Sequence, residues 1–141
     1  HPNCVETLYD LGRTYFDDGR PEEAIEALKK VTMFRQDSAQ AYYFLGSAYF
    51  MVDDNPRALS AFEDAIRLDS AYAEAYYKLG LVNDSMSEYD RAIESYEKAI
   101  SLKPDYIKAY QSIGLAYEGK GMREEAVKYF KKALEKEEKG K

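Results

Sequence analysis

Glycine recurs in this chain at a fixed interval, and that interval limits the possible folds more than any other feature of the sequence. Gly12, Gly46, Gly80 and Gly114 stand 34 residues apart, each behind an apolar residue (Leu11, Leu45, Leu79, Ile113). The same interval separates Ala24, Ala58, Ala92 and Ala126; Val31, Ala65, Ala99 and Ala133; and Leu28, Phe62, Tyr96 and Phe130. The stretch from Ala73 to Tyr106 is therefore a unit that the rest of the chain copies. Such an array buries apolar surface between neighbouring copies, so length counts repeats and not domains.

Each copy carries two apolar stripes at helical spacing with a polar or glycine-containing turn between them, which reads as an antiparallel pair of helices, A and B. In the third copy the A stripe is Tyr76, Leu79 and Gly80, and the B stripe is Tyr89, Ala92, Ile93, Tyr96, Ala99 and Ile100. Gly80 and Ala92 leave no bulk where A and B cross, and Ala99 does the same against the next A helix. Turn sites fall at Gly19, Asp53, Ser87 and Gly121; glycine takes positive φ freely and aspartate tolerably, so the turn at Ser87 is the least comfortable. Asn55 before Pro56 reads as an N-cap and first helical residue. Pro21 with Glu22 and Glu23 starts another B helix, its acids near the positive end of the dipole, and Ser87 with Asp90 is a fainter version. Pro104 ends the third B helix, and Asp105 is placed to cap the next A helix.

The period and the four registered positions resemble the tetratricopeptide repeat (TPR) along almost the whole chain, with copies at 5–38, 39–72, 73–106 and 107–140. The resemblance implies an all-α fold: one right-handed α-solenoid of four antiparallel helix pairs, eight helices, with a concave inner surface. In that family the concave surface is lined mainly by A-helix residues outside the core. Mapped onto this chain, they are Glu6, Tyr9, Arg13, Phe16 and Asp17; Gln40, Tyr43, Ser47, Phe50 and Met51; Glu74, Tyr77, Leu81, Asp84 and Ser85; and Lys108, Gln111, Leu115, Glu118 and Gly119. Tyr42, Tyr76 and Tyr110 take the core position, whereas their neighbours Tyr9, Tyr43 and Tyr77 carry no packing duty of that kind. These tyrosines, extended by Phe50, Met51, Leu81 and Leu115, form an expected peptide groove of rigid aromatic contacts. Arg13, Lys78 and Lys108 add charge contacts. The alternative is that the tyrosines cover their neighbours, since tyrosine tolerates partial exposure.

Acids outnumber bases on this expected surface, so a partner should combine apolar anchors with basic residues. Family members that grip the terminal carboxylates of heat-shock chaperones share a clamp of lysine and asparagine, then asparagine, then lysine and arginine, on three successive A helices. Started at the first copy that pattern meets Tyr9, Arg13, Phe44, Glu74 and Lys78; started at the second it meets Tyr43, Ser47, Lys78, Lys108 and Ser112. Neither frame fits. Asn83 also departs from pattern, standing where the other copies place Tyr15, Tyr49 and Tyr117; it fills less volume and is expected to bond locally to backbone or water.

Composition narrows the remaining classes. A charged fraction of 33% beside 45% hydrophobic residues suits a soluble amphipathic helical protein, and no apolar run approaches the roughly 20 residues of a membrane span. The net charge of −6 argues against nucleic acid, whose binders carry basic patches. Cys4 is the only cysteine, so no internal disulfide forms, and the thiol reads as incidental. The only histidine, His1, reads as a tag remnant, which leaves almost no material for histidine general-base chemistry or a histidine metal site. Carboxylates are spaced along helix surfaces for solvation and for pairs such as Glu94 with Lys98, and no phosphate-binding glycine motif is present. No catalysis, cofactor or metal is expected. No export signal is visible, so the cytoplasm is the default compartment; an opening of His-Pro-Asn is what a processed or excised piece of a longer chain would show.

At the far end, Lys136 replaces Phe34, Leu68 and Leu102 of the earlier copies, and the charged tail predicts a solvated last turn. Val127, Phe130 and Leu134 lie on a B face with no following copy to cover it. Two functions follow: a non-catalytic module that captures a peptide or protein segment in the groove, or a scaffold that assembles with itself through array ends. A third, an accessory domain of a larger protein, stays open.

Overall fold

The structure, a computed structural model, describes residues 2–140; the reading of His1 lies outside them. Among the described residues there are eight helices and no strand: α1 (Pro2–Asp17), α2 (Pro21–Phe34), α3 (Ala39–Met51), α4 (Asn55–Leu68), α5 (Ala73–Ser85), α6 (Tyr89–Leu102), α7 (Ile107–Gly119) and α8 (Arg123–Lys139). They form two compact units, one holding α1–α4 up to Ser70 and the other α5–α8 from Ala71. Consecutive helices pack in pairs within each unit, and α2 on α3 and α6 on α7 join one pair to the next.

The turns inside the pairs are one device used four times. Gly19, Asp53, Ser87 and Gly121 adopt φ of 72°, 61°, 60° and 79°. The next amide reaches back five residues, Arg20 to Tyr15, Asp54 to Tyr49, Glu88 to Asn83 and Met122 to Tyr117, at 2.8–2.9 Å. This is a Schellman closure, in which one left-handed residue lets the last carbonyls of the A helix be satisfied. The residue that closes helix A is also the N-cap of helix B, so each pair needs almost no loop.

Three capping expectations change. The N-cap of α4 is Asp54, whose carboxylate accepts the Arg57 amide at 3.3 Å; Asn55 is already helical and Pro56 follows it inside the first turn. A cap must precede the helix with its oxygen over the third amide, and only Asp54 stands there. Ser87 serves as the left-handed turn residue, and α6 starts behind Glu88 with no side-chain cap. Asp105 lies one residue too early, because Tyr106 is the N-cap of α7 and makes no side-chain cap bond. Ser38, unremarked in the sequence, does cap α3, its Oγ accepting the Ala41 amide at 3.2 Å.

The glycine register has a steric cause. A Cβ on Gly12, Gly46, Gly80 or Gly114 would meet Leu28, Phe62, Tyr96 or Phe130, the residue sixteen positions later on helix B, at 2.7, 3.0, 2.4 and 2.5 Å. Each large side chain packs directly against a glycine. Phe62 and Tyr96 are fully buried, an apolar burial of roughly 1.5–3 kcal/mol each. Asn83 is buried and its Nδ2 donates to the Leu79 carbonyl at 3.1 Å, the local bond expected of it.

On α8 only Ala126 and Ala133 are buried, while Val127 and Leu134 stay 43% and 58% exposed. Lys136 is half-buried, its Nζ 5.8 Å from the centre of the Tyr110 ring, so the stem takes the place of the missing apolar residue while the charge lies over the aromatic face. Lys98, expected opposite Glu94, lies over the Tyr76 ring at 6.0 Å. No helix of the described residues is long and apolar enough to cross a membrane.

Candidate functional site

In the first unit the side chains expected on the A-helix face gather around a residue the face mapping passed over, Phe44. Tyr9, Phe16 and Tyr43 all meet its ring edge-on, with centroids 6.1, 6.0 and 5.2 Å away. Arg13, exposed, lays its guanidinium 5.0 Å from the Phe44 centroid and 5.7 Å from that of Tyr9. Burial pushes the Tyr9 phenol above its ordinary range, with Arg13 pulling the other way. Beside this cluster Glu6, Tyr9 and Gln40 line a cleft of about 160 Å³ with Val5, Val31, Arg35 and Ser38, and Arg35 faces Glu6 at 3.8 Å.

Tyr9, Tyr43 and Tyr77 stay out of the buried core but do cover their neighbours, as the alternative reading of them has it. Tyr43 packs on Phe44 and, at 6.0 Å, on the buried Phe62; Tyr77 packs on Tyr96 and Tyr106 at 5.6 and 5.0 Å. All three are half-buried, each covering a neighbour. The reason is geometric: within each unit Tyr9 on α1 reaches Phe44 on α3 and Tyr77 on α5 reaches Tyr106 and Ser112 at α7, while Tyr43 turns to Phe62 on its own partner helix α4. Ser47 is a correction, for it is buried and its hydroxyl donates to the Tyr43 carbonyl at 2.9 Å, so it offers nothing to a partner. Phe50 is half-buried, while Met51 is 46% exposed.

In the second unit Tyr77 bridges α5 and α7, its hydroxyl accepting from Ser112 Oγ at 3.4 Å. Leu81 is half-buried against the core, Leu115 is 57% exposed, and Gln111 and Lys108 are exposed. Lys78 is half-buried; burial first, and the Lys108 charge second, hold its ammonium below the ordinary lysine range. Asp84 accepts from the Tyr96 hydroxyl at 3.2 Å, and burial pushes its carboxyl up while that bond pulls it down. The same burial and the Asp84 charge push the Tyr96 phenol far up. Glu74 faces Lys103 at 3.7 Å. Several acids counted as free negative charge are thus engaged within the protein. Among the described residues no group of three His, Cys, Asp or Glu side chains is placed to hold a metal.

Comparison with known proteins gives the architecture a family. Models described as tetratricopeptide repeat match residues 73–106 and, with a second such model, 39–72 and 107–137; a model described as TPR repeat matches 12–53. A search of curated proteins found no match. Among solved structures, a crystal structure of MamA is 65% identical over 99% of this chain and 82% of that one, with a TM-score of 0.94. A second, of MamA protein, is 66% identical over 98% and 75%, with a TM-score of 0.92. The first TPR of Spaghetti (RPAP3), bound to the HSP90 peptide SRMEEVD, is 22% identical over 86% of this chain and 96% of that one; its TM-score of 0.82 shows a shared fold. With matching models spanning all four copies, this chain belongs to the tetratricopeptide-repeat family.

Proposed function

We propose that the protein is a non-catalytic interaction module that binds a peptide or protein segment on the faces of its A helices. The observation that carries this reading is the aromatic cluster around Phe44, in which Tyr9, Phe16 and Tyr43 present ring edges beneath a solvent-exposed guanidinium. Half-buried aromatics fixed by their neighbours lose little entropy when a ligand covers them, which is why such residues dominate binding energy at interfaces. Exposed Met51 and Leu115 extend the apolar contact in their respective units. The partner segment supplies apolar anchors together with basic residues, the latter opposite exposed acids such as Asp17 and Glu118.

Because Tyr43 and Tyr77 also hold the fold, the test uses the exposed positions. An affinity pull-down is run with the intact chain and with a Met51→Ser, Leu115→Ser variant of unchanged helicity. A protein retained by the parent and lost by the variant supports the reading, and equal retention by both overturns it.

A second reading, self-assembly, is favoured by exposed Val127 and Leu134 on α8 and by Met33 and Phe34, over 70% exposed, on α2. Light scattering tests it: concentration-dependent growth abolished by Leu134→Glu supports assembly, and a monomer at high concentration excludes it.

A further inference from the structure

We infer that the cleft between the start of α1, the end of α2 and the start of α3 receives the ring of a tyrosine or phenylalanine from the bound segment, packed on Tyr9 and beneath the Arg35 guanidinium. This inference rests on the segment-binding function above and names the chemistry of one subsite. The chain carries its own precedent two repeats on. Glu6 with Arg35 at 3.8 Å and Glu74 with Lys103 at 3.7 Å are the same ion pair at matching positions of the two units. In the second unit Tyr106 fills the space beside that pair: its ring meets that of Tyr77 at 5.0 Å, tilted by 34°, and Lys103 Nζ lies 4.9 Å from its centre. In the first unit Tyr9 matches Tyr77 and Arg35 matches Lys103, but Ser38 stands where Tyr106 would be. The cleft of about 160 Å³ lies there, with Tyr9, Arg35 and Ser38 in its lining.

Ser38 and Tyr106 are both N-caps, and they use the position differently. Ser38 Oγ accepts the Ala41 amide at 3.2 Å, so α3 gains a side-chain cap while the cleft stays open; Tyr106 makes no such bond and contributes a ring instead. Val5 and the buried Val31 give the cleft apolar walls, and exposed Glu6, Arg35 and Gln40 stand at its mouth. An apolar cavity of about 150 Å³ takes up benzene, so this volume suits one six-membered ring. Such a ring covers the half-buried Tyr9 in a tilted or edge-on pair, and its face meets a guanidinium that is still about half exposed. An aliphatic side chain buries similar area but gains neither the ring pair nor the cation contact. A carboxylate gains little, because Glu6 already faces Arg35.

The experiment is selection of random displayed peptides against the intact chain and against Ser38→Tyr, which supplies the ring from within as Tyr106 does. The expected result is a tyrosine or phenylalanine enriched at one position on the parent and not on the variant, with the best peptide binding a variant of unchanged helicity about tenfold more weakly. Methyl NMR on the parent decides the matter even where Ser38→Tyr does not fold. The selected peptide should shift the Val5 and Val31 methyl resonances through its ring current, and the same peptide with leucine in place of its aromatic residue should not. Selected peptides with no aromatic position, an aromatic enriched equally on the folded variant, or unmoved Val5 and Val31 methyls overturn this subsite and leave the segment-binding function standing. A selection that enriches nothing above the unselected library overturns both.

Discussion

Replacing Gly80 by alanine tests whether the 34-residue register is a packing rule. The added Cβ would stand 2.4 Å from Tyr96 Cε1 and 2.6 Å from Cδ1, where ordinary contact begins near 3.4 Å, so the ring must retreat by about 1 Å. It has little freedom to do so: Tyr96 is fully buried, its hydroxyl is tied to Asp84 and its ring lies against Tyr77. Overpacking of this kind costs roughly 1–3 kcal/mol, and the better helix propensity of alanine returns about 1 kcal/mol. With a ring this confined the overpacking falls in the upper half of that range, about 2–3 kcal/mol, so the net loss is about 1–2 kcal/mol, read as a lower urea midpoint at unchanged slope. Gly46→Ala is the internal control, because its Cβ would meet Phe62 at 3.0–3.1 Å and a shift of a few tenths of an ångström accommodates it; propensity and crowding then cancel to within about 0.5 kcal/mol. Gly114→Ala falls between, since Phe130 is close at 2.5 Å but only half-buried and free to yield. A Gly80→Ala protein as stable as the parent, or a Gly46→Ala protein that loses more, would refute the account.

Ser87→Gly should stabilise by about 1 kcal/mol by relieving a non-glycine residue held at φ 60°, whereas Gly121→Ser, at φ 79°, should lose a similar amount; calorimetric melting that shows no opposite pair of shifts removes the turn argument. Ser38→Ala should cost about 1 kcal/mol through loss of the α3 cap, and no change in denaturation midpoint would mean water satisfies the Ala41 amide equally well. Asp84→Asn should raise stability at neutral pH. The carboxyl titrates above its unfolded value of 3.8 because burial disfavours the charged form, so the cost is absent below pH 3.8, appears as pH rises toward the folded value and persists above it. Melting curves of variant and parent should therefore converge on acidification, and a gap that widens at low pH would reverse the sign of the assignment.

What the sequence made legible is what sterics repeats. A glycine on helix A, a large side chain sixteen residues later and a left-handed residue at each tight turn are local or fixed-interval demands, and they set the helix pairs and the crossing points. Cap positions were offset by a single residue, as at Asn55 and Asp54, because adjacent residues both able to accept an amide look alike until the helix start is known. The inner face was legible as a set of positions but not as surroundings: helical spacing gives Tyr43 a direction, yet only the distance to α4 decides that its ring meets Phe62, and only the approach of α1 to α3 makes Phe44 a centre with Arg13 over it. Charge was the least legible property. Counting acids against bases on the A helices suggests a surface in search of cations, but Glu6 finds Arg35 and Glu74 finds Lys103 across distances in sequence that no local pattern encodes. A total taken along the sequence therefore overstates the negative charge left free on the A-helix faces, where Asp17 and Glu118 stay exposed and outside the ion pairs of the described residues.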